Sequence, residues 1–339
     1  METETNIKVD GGGSAASVTA PGGTGRGTLL GLLEKYATVI GFIAMIVVFY
    51  LERPGVFGTW DNARSILELA APILILAAGL TVVLSNGEFD LSFPGVVGLS
   101  AVVAVQMMSD HGANAFIAVI VALAVGVGCG LVAGILVAFQ RASSFIVTLA
   151  LQTIWTGVAL GLSGGGTTIA DVTEGYISLT FNRVWEIPLP VIYAAAVIFF
   201  AFVIMRWTVF GRQTMAIGSN PVAARLAGIR VGLTRLWGFA LMGLCSGIAA
   251  VILSSQTGQY SPDIAGGLFI PPFVAAFFGI SVLAAGHFNV VGTTVGALFV
   301  ATLQTGLTIV GASSYIANIV IGSVLIVILF VAAQSRSKA

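Results

Sequence analysis

Residues 114–139 read NAFIAVIVALAVGVGCGLVAGILVAF, an unbroken apolar run without a charged side chain. Because roughly 20 consecutive apolar residues can cross the hydrocarbon core of a bilayer as a helix, this run predicts a transmembrane helix. Four of its glycines are Gly126, Gly128, Gly130 and Gly134. Small residues let membrane helices approach closely, so these glycines indicate dense helix packing rather than a glycine-rich binding loop.

Similar runs fill most of the chain. Of its 339 residues, 57% are hydrophobic and 8% are charged, and the mean hydropathy is +1.04. Soluble domains carry about 25% charged residues. We therefore predict an all-α integral membrane protein with about ten transmembrane helices. The pattern is expected to be broken or re-entrant around 85–95. The predicted spans are 36–52, 63–85, 92–109, 114–139, 145–162, 188–206, 233–254, 268–284, 290–310 and 315–333.

The two ends of the chain differ from this apolar part. Residues 1–28 are rich in Gly, Ser, Thr and Ala and predict a disordered tail, because they cannot bury enough apolar surface to order themselves. The first apolar run comes too late for a signal peptide. The membrane domain is expected to cover 29–334, followed by a short tail at 335–339.

The basic residues predict the orientation. Ten crossings place both termini on one side of the membrane, and 11 of the 14 basic residues fall on that side: Lys8, Arg26, Lys35, Arg141, Arg206, Arg212, Arg225, Arg230, Arg235, Arg336 and Lys338. The other side holds Arg53, Arg64 and Arg183. Since basic residues concentrate in cytoplasmic loops, both termini are predicted to be cytoplasmic.

The cytoplasmic stretch 206–235 holds five arginines and no acid. Asn220 and Pro221 are typical of a helix start, with Asn220 as the cap and Pro221 at the first helical position. Val222, Leu226 and Ile229 would form one face of a short helix. Two interpretations stay open from these residues: a helix lying on anionic headgroups, or a helix that docks into a cytoplasmic partner.

A second unusual stretch lies between the spans around residues 85 and 92. Glu88 and Asp90 are charges within an otherwise apolar region, and Gly87 and Pro94 interrupt the helix. Such a break is tolerated where it lines a cavity or is buried in protein. Asp90 is expected either to cap the next helix start or to contact the substrate directly. The external loops 163–187 and 256–267 are either connections or a platform for an external partner.

Several chemistries lack their sequence signals. None of the three lysines follows a glycine, so the chain has no nucleotide-binding loop. HExxH, CxxC and GxSxG are also missing. Cys129 and Cys245 fall in apolar runs and are expected to be packing residues, and His111 and His287 do not suggest a metal site. The formal net charge of zero gives no pull toward nucleic acid. We therefore predict neither an enzyme nor a metal centre.

Three motifs in order resemble the ribose-type sugar permeases of bacterial ABC importers, within the branched-chain amino acid/ribose permease family. NGEFDLSFPGVVGLSA (86–101) resembles the family's GGIDLSVG-type signature, although Phe93-Pro94 stands where Val-Gly is common. GRQTMAIGSNPVAARLAGIRV (211–231) resembles its cytoplasmic coupling segment, with Val222 in the place of the usual acidic residue. AAGHFNVVGTTVGALF (284–299) is similar to its third signature. Together they span nearly the whole chain after the tail.

The resemblance implies a type II-like ABC importer permease fold in a bacterial plasma membrane. It implies a second permease subunit, in a homo- or heterodimer, and an extracytoplasmic sugar-binding protein. A cytoplasmic ATPase would use ATP and Mg²⁺, while this chain would bind no cofactor. The coupling helix would fall at about 219–229. The residues that would contact the ATPase are Asn220, Pro221, Ala223, Ala224, Arg225, Leu226 and Gly228.

The resemblance also suggests a translocation path, and the candidate residues for this path or for the helix break are Phe89, Asp90, Ser92, Phe273 and Phe277. The alternative for each aromatic residue, and for Phe278, is a core or lipid-facing position. The expected function is ATP-driven import of a monosaccharide or a related small polar solute. Branched-chain amino acids, nucleosides or a furanosyl signalling molecule are alternative cargoes. An ion-coupled secondary carrier is a separate alternative, which the near absence of charges within the spans disfavours.

Overall fold

The computed structural model describes residues 26–140, 142–169, 172–282 and 287–337, and the residues from Thr38 onward form one compact unit. The helices of the described part are α1 (Arg26–Glu52), α2 (Pro54–Phe57), α3 (Trp60–Ser85), α4 (Phe93–Ser109), α5 (Ala115–Gln140), α6 (Ser144–Leu162), α7 (Glu174–Phe181), α8 (Leu189–Trp207), α9 (Val209–Ser219), α10 (Pro221–Leu226), α11 (Val231–Thr257), α12 (Pro271–Val282), α13 (Val290–Ile309) and α14 (Ser314–Ser337). Two short antiparallel pairs complete it: β1 (Thr168–Ile169) with β4 (Gln259–Tyr260), and β2 (Arg183–Val184) with β3 (Ile187–Pro188).

The all-α membrane fold is confirmed. In the described part of the chain, six helices are long and apolar enough to cross a membrane, namely α3, α5, α6, α8, α11 and α13. Four shorter apolar helices cover Val39–Glu52, Phe93–Ser109, Gly266–Ile280 and Ser314–Phe330. Every predicted span overlaps one of these helices, and the number of crossings stays a prediction.

The first and last helices extend a few residues beyond the predicted membrane domain 29–334, whose bounds stay a prediction. Most of the predicted tail 1–28 lies outside the described residues, but α1 already begins at Arg26. At the other end, α14 continues to Ser337, past the predicted boundary at residue 334. No glycine or proline follows Gly322 to end the helix there, which explains the extension.

The core is built around α3. From Ala70 to Ser85 this helix is buried, and it packs against α8, α11, α12 and α13. The hydroxyls of Thr81 on α3 and Thr293 on α13 lie 2.8 Å apart within this core. By contrast, few residues of α6 and α8 are fully buried, as expected for surfaces that face lipid or another subunit.

The most extensive helix contact in the described part of the chain is that of α5 with α11, and glycines lie in this contact. A β-carbon on Gly126 would meet the Gly243 carbonyl oxygen, and one on Gly130 would meet that of Phe239. Gly134 also lies against the α11 backbone. Gly128, in contrast, has no neighbour within 4 Å. The predicted close packing is therefore confirmed for three of the four glycines.

The loop 163–187 contains more structure than its composition predicted. Tyr176 of α7 is fully buried, its hydroxyl lies 2.7 Å from that of Ser254 on α11, and burial raises the pKa of the phenol to about 12. The β2–β3 hairpin turns at Trp185 and Glu186, which both adopt positive φ. Glu186 pairs with Arg64 of α3 at 3.3 Å, so the hairpin is tied to the helix bundle.

Candidate functional site

The predicted break exists between α3 and α4. The chain leaves α3 through Gly87, whose φ of +78° is a conformation that other residues adopt only at a cost. Residues 88–92 form no helix, and α4 begins at Phe93 with Pro94 in its first turn. Asp90 is buried, and one of its carboxylate oxygens accepts hydrogen bonds from the Ser92 N–H at 2.7 Å and the Ser92 hydroxyl at 2.6 Å. The side chain therefore supports the start of α4.

Hydroxyl groups of α6 satisfy the exposed backbone of the break. The Phe89 N–H donates to Ser144 Oγ at 3.1 Å, and the Leu91 N–H donates to Thr148 Oγ1 at 3.0 Å. Non-helical backbone at membrane depth needs such partners, because no water is available there. Neither α6 residue is among the site residues predicted from the sequence, although their i, i+4 spacing on an apolar helix was a usable signal.

Glu88 is neutralised by a residue that sequence reasoning did not connect to it. Arg235, in the second turn of α11, places a guanidinium nitrogen 2.8 Å from the Glu88 carboxylate. Both side chains are largely buried, with exposed fractions of 21% and 11%. This pair joins the break to α11.

Two cavities adjoin the start of α4. Cavity I, of about 370 Å³, is lined by residues that precede α4 and by α9, α12 and the start of the α13 segment: Leu84, Ser85, Gly87, Glu88, Phe89, Met215, Gly218, Ser219, Phe277, His287 and Phe288. Cavity II, of about 230 Å³, is lined by the first turns of α4, by α6 and by residues around β4: Pro94, Gly95, Gly98, Gln152, Thr156, Ala159, Tyr260, Pro262, Asp263, Ala265, Gly266 and Phe269. Both mix hydroxyl, amide or carboxylate groups with aromatic rings.

A stripe of phenylalanines leads from one cavity to the other. Phe269 lines cavity II, Phe277 lines cavity I, and Phe273 lies between them on the same helical segment. The ring of Phe93 lies 6.3 Å from that of Phe269 and 6.0 Å from that of Phe273. Of the predicted path residues, Phe89 and Phe277 therefore line a cavity, Phe273 is packed in the stripe, and Asp90 and Ser92 hold the break.

The predicted short helix is α10, and its ends are defined as the sequence indicated. The Asn220 side chain accepts hydrogen bonds from the N–H groups of Val222 and Ala223, both at 3.0 Å, and Pro221 is the first helical residue. Gly228 has a φ of +84°, and its N–H donates to the Arg225 carbonyl, while the Ile229 N–H donates to the Ala224 carbonyl. This is the Schellman arrangement, which ends helices at a glycine.

The predicted apolar face of this helix is wrong in one respect. The helix ends at Leu226, so Ile229 lies beyond it and is partly buried, whereas Val222 and Leu226 are exposed by 66% and 85%. Ala224 is buried in a small cluster with Ile217 and Val231 of the same chain. The surface available to a partner therefore includes Val222 and Leu226 as its large apolar residues, together with the exposed Pro221, Ala223 and Arg225, whereas Ala224 packs against its own bundle.

The segment α9–α10 touches the break directly. A β-carbon on Gly218, near the end of α9, would meet the carbonyl oxygen of Ser85, and that of Gly87 would come within 3.7 Å of Gly218. Two residues after Gly218, Asn220 caps α10. The exposed residues Val222 and Leu226 therefore follow only a few residues after Gly218, which contacts the helix break. Helix α9 was not predicted from the sequence, although VFGRQTMAIGS is amphipathic.

These features define a membrane transport subunit: a bundle of apolar helices, one of them interrupted between two cavities, with a capped surface helix resting against the interruption. The family model described as "Branched-chain amino acid transport system / permease component" matches residues 62–329, and the chain belongs to this family.

Relatives with established names support the same conclusion. The ribose import permease protein RbsC of Escherichia coli (strain K12) is 30% identical over 293 residues, which cover 85% of this chain and 90% of that protein. The autoinducer 2 import system permease protein LsrD of Enterobacter sp. (strain 638) is 32% identical over 259 residues, 75% of this chain and 79% of the relative. The xylose transport system permease protein XylH of Haemophilus influenzae is 26% identical, with 90% of this chain and 98% of the relative covered. No solved structure matches significantly.

Proposed function

We propose that this chain is the membrane-spanning subunit of an ATP-driven importer for a monosaccharide or a furanosyl solute. The observation that carries the proposal is the contact between α9–α10 and the break, because it connects a surface helix to the interrupted part of the bundle. The family and the names of the relatives support import rather than catalysis. Ribose, autoinducer 2 and xylose in those names favour a small hydroxylated cargo over amino acids or nucleosides.

In this proposal, ATP binding and hydrolysis by the partner ATPase drive transport by moving α10. A cytoplasmic ATPase, which binds ATP and Mg²⁺, docks on the exposed Val222 and Leu226, while this chain binds no cofactor of its own. Closure of the ATPase pair displaces α10 as a rigid unit, because its caps and Ala224 fix it to the bundle. Gly218 then transmits the displacement to Ser85 at the end of α3. As a result, one of the two cavities beside the break closes to its side of the membrane while the other opens to the opposite side.

The solute path runs from cavity II to cavity I. Hydroxyl, amide and carboxylate groups such as Thr156, Gln152 and Asp263 provide hydrogen bonds to a sugar in cavity II, and Glu88, Ser219 and His287 do so in cavity I. The phenylalanine stripe forms the closed barrier between them. The groups are few and dispersed, which suits transient contact rather than tight binding.

The orientation of the chain in the membrane determines where the proposed partners bind. The excess of basic residues on one side of the predicted spans supports cytoplasmic termini, and with that orientation cavity I faces inward and the β2–β3 hairpin faces outward. An extracytoplasmic binding protein delivers the solute on that outer surface. A second permease subunit, of the same or another chain, completes the path, and the exposed apolar face of α6 is suited to that contact.

Reconstitution tests this function. Proteoliposomes that contain the chain with its ATPase and binding protein should accumulate labelled D-ribose, D-xylose or a related solute only with ATP on the ATPase side. Leu226→Asp should abolish accumulation and the co-purification of the ATPase, while Leu226→Met, which keeps an apolar side chain, should retain both. Solute uptake by the chain alone, driven by an ion gradient, would contradict the proposal and favour a secondary carrier.

A further inference from the structure

A groove of about 270 Å³ lies between α9 and α11, apart from both cavities of the path. One wall is formed by Phe210 and Gln213 of α9. The other wall is formed by Arg230, Leu233 and Trp237, which follow one another at helical spacing at the start of α11. Gly228, at the end of the α10 turn, closes the groove next to Arg230.

One end of the groove is polar and the other end is apolar. Its polar end holds the guanidinium of the exposed Arg230, and its apolar end holds Leu233 and Trp237, which are exposed by 40% and 56%. Arg230 and Trp237 are seven residues apart, so the groove extends about 10 Å along α11 at 1.5 Å per residue. An amphipathic ligand with one charged end fits this gradient.

The charges around the groove are of one sign. The segment 206–235 contains five arginines and no acidic residue. Arg235 is engaged by Glu88, and the other four face no carboxylate within the described ion pairs. The Gln213 carbonyl accepts the Thr234 hydroxyl at 3.4 Å, which leaves the amide nitrogen of Gln213 as a donor on the same wall. Both the guanidinium and the amide suit a phosphate oxygen.

We propose that this groove is a binding site for an anionic phospholipid, with the phosphate at Arg230 and an acyl chain along Leu233 and Trp237. A soluble partner can reach Gly228 and Arg230 from the surface. It cannot reach Trp237, which lies two turns inside a 27-residue helix of spanning hydropathy. Tryptophan and arginine at the edge of a membrane helix are the side chains that meet lipid headgroups.

The site has a consequence for α10. Because Gly228 lines the groove and also ends α10, a bound lipid would fill the space behind that turn. The occupied groove then holds the α10 turn in place while a partner presses on Val222 and Leu226. This regulatory part rests on the proposed function, whereas the lipid site itself does not.

Native mass spectrometry of the full chain tests the lipid site without any transported solute. The chain is purified in detergent and titrated with palmitoyl-oleoyl-phosphatidylglycerol or, as the neutral probe, palmitoyl-oleoyl-phosphatidylcholine. Phosphatidylglycerol should be retained at least tenfold more strongly, and Arg230→Gln should remove that preference. Arg225→Gln, which changes an exposed arginine outside the groove, should leave it intact. Equal retention by wild type and Arg230→Gln, or equal loss in both variants, would overturn the site.

Two further measurements distinguish the occupants. A photo-crosslinking residue in place of Trp237, in the assembled complex in native membranes, should capture phospholipid; capture of the ATPase or of a second permease copy instead would overturn the proposal. Inorganic phosphate at millimolar concentration should fail to displace phosphatidylglycerol, since the acyl chain contributes to binding. Displacement by phosphate alone would reduce the groove to a simple anion site and contradict the lipid assignment.

Discussion

Arg235 and Glu88 form an ion pair of 2.8 Å between the second turn of α11 and the helix break. Since α11 follows α10 after only a short connection, this pair is a second link between the surface helix and the break, parallel to the contact of Gly218 with Ser85. Both links connect the segment α9–α11 to the break.

Breaking the Arg235–Glu88 pair should reduce both stability and transport. Glu88→Gln leaves a largely buried guanidinium without its counter-charge, and loss of one partner of a buried pair costs up to about 3–5 kcal/mol. We expect a lower melting temperature and slower solute uptake per ATP hydrolysed. Glu174→Gln, at an exposed carboxylate of α7, is the control and should match the wild type. An unchanged melting temperature for Glu88→Gln would show that the pair does not hold the break.

Asp90 should act on stability rather than on solute affinity. Asp90→Ala removes the acceptor of the Ser92 N–H and hydroxyl, and leaving a buried donor without its partner costs about 1–3 kcal/mol, although Asp90 does not cap the first turn of α4 itself. Asp90→Asn keeps a carbonyl oxygen and should recover most of the loss. Thermal unfolding and the concentration dependence of uptake check this together. A raised half-saturating solute concentration with unchanged unfolding would indicate direct substrate contact instead.

Gly130 and Gly128 provide a matched pair on one helix. A methyl group on Gly130 would enter the backbone of α11 at Phe239, whereas one on Gly128 would meet open space. Overpacking of a close contact costs about 1–3 kcal/mol. Gly130→Ala should therefore lower the unfolding temperature or the yield of folded protein, and Gly128→Ala should not. Fluorescence-detected size exclusion after heating measures both. Equal behaviour of the two variants would contradict the close contact of α5 and α11.

Gly95 and Gly98 of α4 both line cavity II, but only Gly95 lies in close contact with α6. A β-carbon on Gly95 would lie 2.8 Å from the backbone and side-chain oxygens of Gln152, and one on Gly98 has no neighbour within 4 Å. Gly95→Ala should push α4 away from α6 next to cavity II and lower the uptake rate. Gly98 also lines cavity II, so the control is Gly128→Ala, at a glycine of α5 with open space outside both cavities, and this variant should transport normally. Uptake assays on reconstituted complexes check the difference, and normal uptake by Gly95→Ala would remove cavity II from the path.

Gly228 should be required for coupling because of its backbone. A non-glycine residue at its φ of +84° costs about 1–2 kcal/mol, although no atom lies near the missing side chain. Gly228→Val should loosen the end of α10, so that ATP hydrolysis continues while uptake falls. Gly322→Ala, at a glycine with free space and an ordinary backbone, is the control. Normal coupling in Gly228→Val would contradict the role of this turn.

The sequence predicted the features that depend on local chemistry. Apolar runs located the helices, Asn220 and Pro221 located the start of α10, and Gly87 with Pro94 located the break. These signals are short-range, because caps and hydropathy act within a few residues. Whether a solute touches the predicted path residues stays a prediction.

The features that depend on tertiary contact could not be predicted from one sequence. Nothing local indicated that Glu88 would meet Arg235, almost 150 positions later, or that Ser144 and Thr148 would satisfy the break. The inward position of Ala224 also depends on Ile217 and Val231 in neighbouring elements. Only the packed bundle decides which face of a short helix is buried.

The phenylalanine stripe has an electrical consequence. Phe269 and Phe277 are eight residues apart, about 12 Å along a helix axis and less than half of the roughly 30 Å of the hydrocarbon core, so the barrier of the proposed path would be thin. With solvent in both cavities, the membrane voltage would fall mainly across this barrier. An ion there meets the steepest field of the membrane, at about 2.3 kcal/mol per charge for each 100 mV. A neutral solute crosses it without electrical work, so voltage itself discriminates between the two.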